Sequence, residues 1–130
     1  MNFIVKHWQG AYSLRKSFWV NYVALNFILS FAFAYFLLFW IRSGHTTGLE
    51  RYLMNYYLIS FGVSLWQAVG VYRSSVRYEK TTGKKVFPWI ARMLTLFSTG
   101  HALLSFLMIL TLSPAAHQEL ITHLMTLANV

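Results

Sequence analysis

The chain has no cysteine, which excludes disulfides, thiolate metal sites and thiol catalysis. Aspartate is also absent, and the acids are Glu50, Glu79 and Glu119. Intramembrane proteolysis by two aspartates is therefore excluded. The three glutamates are too scattered to form a carboxylate pair for acid–base work. No His-Glu-x-x-His run is present, and residues 82–85 lack the upstream glycine and trailing hydroxyl of a phosphate-binding loop. No enzyme is expected. Charge is scarce: 11% of residues are charged, against about 25% in an average soluble domain. Hydrophobic residues make up 57%. Such a chain cannot cover a water-facing surface with polar groups, but it can cover a lipid-facing one.

What charge there is falls mostly on one sign. Eleven Lys and Arg against three acids give a net charge of +8. In a soluble protein that excess would suggest nucleic acid. Here the cations fall between apolar runs, so membrane topology and anionic lipid headgroups explain them better.

The apolar runs predict an all-α membrane protein of one domain with three transmembrane helices. Residues 1–17 read as an N-terminal interfacial helix, with Phe3, Ile4 and Trp8 set among Lys6, His7, Arg15 and Lys16, and with Gly10 interrupting it. Residues 18–41 form the first span, uncharged and bracketed by Trp19 and Trp40. The run is too long for a signal-peptide core, and residues 41–44 offer no cleavage site. Residues 52–72 form the second span. Residues 73–87 read as a basic cytoplasmic loop. A helix running on past the membrane would put Arg73, Arg77, Lys80 and Lys84 on one face, and the run at 81–83 would stop it. Residues 88–112 form the third span, with Pro88 in its first turn. Ser113 reads as an N-cap for a C-terminal amphipathic helix over 113–130. Lys and Arg weight the N-terminal segment and second loop eight to two over the opposite side. The N-terminus is therefore expected in the cytoplasm and the tail across the membrane.

Candidate functional residues follow from this layout. Ser60, Ser64 and Ala68 recur every four residues, a small-residue face for close helix approach. Asn21, Asn26, Asn55 and Gln67 are amides that can hold helices together; four amides without a carboxylate make a poor ion filter. Arg73, Arg77, Lys80, Lys84 and Lys85 are expected to meet anionic headgroups, and Arg92, one turn inside the third span, to snorkel to the same level. His101 falls mid-span, where a histidine is costly unless buried, paired or bound. It is expected to hydrogen-bond a neighbour, with Ser98 and Ser105 on its face, or to carry a proton. The alternative is haem ligation, for which a second chain would supply the other axial ligand. His45, His117, Glu119 and His123 can be drawn as a zinc site, but nothing brings His45 to the tail, so no metal is expected.

Two stretches carry a resemblance. Residues 8–19 read W-x-G-x-x-S-L-x-x-x-F-W, and residues 66–74 read W-Q-x-x-G-x-x-R-S ahead of the basic loop. This pairing resembles small uncharacterised multi-pass proteins of the bacterial inner membrane. The resemblance implies that membrane and the same span boundaries, and it brings no activity with it. The expected role is an accessory or structural subunit that packs against other membrane chains or itself. Redox and pore-forming roles are the alternatives.

Overall fold

The computed structural model describes residues 2–44, 48–112 and 114–128. Every regular element among them is helical. Helix α1, Phe3–Trp8, starts from an Asn2 cap whose side chain accepts from the Ile4 amide. Helix α2, Lys16–Arg42, is π-helical over Lys16–Ala24 and α-helical over Leu25–Arg42. At the junction, the Leu25 amide reaches back five residues to the Val20 carbonyl. Helices α3, Leu49–Thr82, and α4, Val86–Thr111, form an antiparallel hairpin. Helix α5, Pro114–Ala128, folds back against α2 and α3. The cap expected at Ser113 lies outside the described residues.

Two helices, α2 and α4, are long and apolar enough to cross a membrane, where three were expected. The third expected span lies in α3. Its apolar character is broken by Ser64, Gln67, Ser74 and Ser75, all buried, and it carries charge at both ends. It is also longer than expected. Its 34 residues span about 50 Å, and the segment expected as loop from residue 73 is helical through Thr82. Arg73, Arg77, Glu79 and Lys80 favour helix, and no glycine or proline stops it before Gly83.

The apolar core is small: Leu14, Phe18, Val71 and Ala91, with Tyr22, Tyr78 and Phe87 packed around it. Outward faces carry large apolar side chains, among them Phe31, Phe97 and Met108, each more than 65% exposed. Among the described residues, buried positions are as often polar as apolar, while many large apolar side chains are exposed.

Candidate functional site: a polar seam and two lateral grooves

The polar seam runs under the N-terminal segment. After α1, the chain turns at Gly10 (φ +68°), where a Cβ would stand 2.6 Å from Arg73 Cβ. Glycine is required there by backbone conformation and by space. The turn lays α1 along α3. The Trp66 indole N–H donates to the Ile4 carbonyl at 3.0 Å, and Arg73 donates to the Trp8 carbonyl at 2.8 Å. Arg77 donates to the Gly10 carbonyl and, at 2.9 Å, to that of Tyr12. Trp66 is half-buried against α1, with its ring 4.3 Å from that of His7.

His7 is the centre of the seam and is fully buried. Its ring lies on Gly70, where a Cβ would come within 2.2 Å of Nε2. Asn21 Nδ2 donates to His7 Nδ1 at 2.8 Å, which leaves the ring proton on Nε2. Neither His7 Nε2 nor Asn21 Oδ1 has a hydrogen-bond partner among the described residues. Burial pushes the His7 pKa below the ordinary histidine value, opposed by the nearby Gln67 backbone carbonyl. Gln67 Nε2 donates to the Asn21 carbonyl at 2.7 Å, and Asn26 Nδ2 donates to Gln67 Oε1 at 3.3 Å. Ser17 and Ser74 share a buried bond of 2.8 Å. Three of the four expected amides therefore join helices within one chain, while Asn55 is exposed. The π-helical stretch supplies Ser17 and Asn21 to this seam, in keeping with the tendency of such turns to mark special sites.

The expected lipid-facing cations divide into two groups. Lys80, Lys84 and Lys85 are exposed. Arg73 and Arg77 are also exposed but spend hydrogen bonds on the α1 turn. Arg92 has a partner outside its own span: Nη2 is 2.6 Å from Glu79 Oε2. Its Nε donates to Ser75 Oγ, whose hydroxyl donates to the Tyr72 carbonyl. Its guanidinium lies 5.3 Å from the Tyr72 ring centre. Glu79 is thirteen residues away in the chain, outside the apolar run that holds Arg92, and the hairpin brings it in from α3.

Two grooves open sideways. One, of about 470 Å³, lies between α2 and the α3–α4 hairpin. Its polar lining includes Asn26, Ser30, Ser60, Ser98, His101 and Ser105. His101 is exposed in it, with Nδ1 3.4 Å from Ser105 Oγ. Among its described lining residues, His101 is the one histidine. The other groove, of about 550 Å³, lies on α3 and α4 and is apolar except at one end. The small-residue face is split between these surfaces. Ser60 lines the first groove and Ala68 the second, while Ser64 is buried and its carbonyl accepts from Thr99 of α4. On the tail, His117 is buried with Nδ1 3.7 Å from Glu50 Oε1. Glu119 and His123 line a separate pocket. No group of three potential metal ligands occurs among the described residues, and His45 lies outside them.

No family model matches the chain, nor does any curated protein or solved structure.

Proposed function

We propose that the protein is a non-catalytic subunit of the bacterial cytoplasmic membrane that packs against another membrane chain or a second copy of itself. The observation that carries this reading is the polar groove between α2 and the hairpin. Ser30, Ser60, Ser98, His101 and Ser105 open onto the depth at which α2 and α4 cross. Polar side chains facing hydrocarbon are costly, and small hydroxyl residues favour close approach of a helix. A partner helix in that groove meets both requirements. In this reading α3 is the third span, its polar residues turned inward toward α1, α2 and α4.

The charge distribution supports an orientation. Of the eleven Lys and Arg, Arg42 and Arg51 sit at one end of the bundle, and the other nine lie at the end where α1 docks. That end, with the N-terminus, faces the cytoplasm, and the exposed lysines after Tyr78 anchor it to anionic headgroups. The test is purification from native membranes in mild detergent, read by native mass spectrometry. A co-purifying chain or a repeating mass of this chain is expected, and Ser60→Phe, which fills the groove, is expected to release it. A monomer with no partner in the unmodified protein rejects the reading.

A second reading rests on His101, whose imidazole is presented to the same groove. Haem held there with a ligand from a partner chain predicts a Soret band that His101→Ala abolishes. A colourless preparation rules it out.

A further inference from the structure

The second groove differs from the first in chemistry and in where it points. Its walls are Ala68, Val69 and Tyr72 from α3, and Met93, Thr95 and Leu96 from α4, and Arg73 and Arg92 complete it at one end. The helices are antiparallel. Stepping from Tyr72 back to Ala68, or from Arg92 on to Leu96, therefore leads the same way, about one turn from the basic end toward the middle of the bundle. The arginine end lies at the level of exposed rings: Tyr72 at 57%, Trp89 at 58% and Trp8 at 41% exposure. Such rings mark the headgroup zone.

The two guanidiniums are not equivalent. Arg92 is matched by Glu79, the pair standing 2.6 Å apart. Arg73 meets the Trp8 carbonyl and, at 5.4 Å, the Trp8 ring, but no carboxylate. Among the described residues, the ion pairs are Arg92–Glu79 and His117–Glu50. The groove mouth therefore carries one uncompensated positive charge with guanidinium N–H groups to spare. It opens onto an apolar channel that runs toward the bilayer centre.

We propose that this groove binds one anionic phospholipid. Its phosphate sits against Arg73 and the free edge of Arg92, and the upper part of one acyl chain lies between α3 and α4 along Ala68, Val69 and Leu96. Basic pockets between membrane helices on the cytoplasmic side are suited to such headgroups. The proposal rests on the membrane-embedded reading above. It adds that the lipid at this place is a stoichiometric ligand held by charge and by shape, distinct from the general attraction of the basic end for an anionic surface.

The test uses the full chain in detergent micelles, titrated with phosphatidylglycerol or phosphatidylcholine of identical acyl chains and read by native mass spectrometry. One phosphatidylglycerol per chain is expected, retained at least about tenfold more tightly than phosphatidylcholine. Arg73→Gln is expected to remove that preference. Because Arg73 also holds the α1 turn, a second variant separates folding from binding. Ala68→Phe leaves every charge and α1 contact in place but fills the channel, and it is expected to weaken retention of both lipids. Arg15→Gln removes one exposed charge from the same end, outside the groove, and is expected to leave the stoichiometry unchanged. Equal retention of the two lipids overturns the proposal. So does a loss in Arg15→Gln as large as that in Arg73→Gln, or full retention in Ala68→Phe. A chain that stays soluble without detergent overturns the membrane reading itself. A detergent-requiring chain with no lipid preference overturns only the lipid site.

Discussion

The two ends of the bundle are held together by different means. At the basic end, α1, the π-helical start of α2 and the middle of α3 share a seam of buried His, Asn, Gln and Ser, closed over by arginine bonds to backbone carbonyls. At the far end, contact rests mainly on rings, with one long hydrogen bond from the Tyr52 hydroxyl to the Phe33 carbonyl and one long ion pair. Phe33 stacks on Tyr56 with ring centres 3.5 Å apart, Trp40 lies 5.8 Å from Tyr52, and His117 stands 3.7 Å from a half-exposed Glu50. On the membrane reading proposed above, the contrast shows where a thin bundle finds its specificity. Apolar contact distinguishes poorly between a neighbouring helix and an acyl chain, whereas a polar group in hydrocarbon has few acceptable partners. The end with the polar seam should therefore be the rigid one.

The largest effect is expected from Gly70→Leu. Its side chain would occupy the space of the His7 ring, and overpacking of this kind costs about 1–3 kcal/mol or more. Released α1 would free the backbone around Lys6 to enter a protease, so rapid tryptic cleavage after Lys6 checks the prediction. An intact N-terminus in that variant would break the contrast between the ends. Next is Gln67→Ala, which strands the Asn21 carbonyl and Asn26, at about 1–3 kcal/mol. Thermal unfolding in detergent measures it. Phe33→Leu at the far end removes ring stacking and should cost about 0.5–1.5 kcal/mol. A larger loss there than at Gln67 would reverse the ranking. Glu50→Gln is expected to change stability least, by less than about 1 kcal/mol, because its partner is distant and its carboxylate is solvated.

Acid should separate the ends further. Burial lowers the His7 pKa below that of the unfolded chain. At neutral pH and above, the ring is uncharged in both states and docking of α1 is unopposed. As pH falls below the ordinary histidine value of about 6.5, the unfolded state binds the proton first, and docking weakens down through the lowered folded value. Protection factors over residues 3–12, which remove the intrinsic slowing of amide exchange by acid, should fall between pH 7.5 and pH 5. Protection that does not change over this range would show that His7 does not titrate there.

The apolar parts of the fold were legible in the sequence. Apolar runs gave α2 and α4, and the stop ahead of Gly83 was visible in the Thr-Thr-Gly run. Amides mid-span signalled helix-to-helix bonds, and Asn21, Asn26 and Gln67 make them. The seam itself was not legible. His7 reads as one more polar residue on a surface helix, because its partners Asn21, Gln67 and Gly70 are distant in the chain and no local period links them. Gly70, uncharged and small within a run of larger residues, and Trp66, too deep for a headgroup anchor, were the signals available. Both mark the track on which α1 lies. Arg73 and Arg77 were read as lipid ligands from charge alone, yet charge does not reveal that a carbonyl-rich turn folds over them.

The docked α1 turn has a consequence for the order of assembly. Tyr12 and the Arg77 that grips its carbonyl are separated by 65 residues. At about 5–20 residues per second, the ribosome takes roughly 3–13 s to cover that distance. Throughout that interval the N-terminal segment can make only nearby contacts, such as His7 with Asn21. Closure of the hook therefore has to wait until α3 has been made.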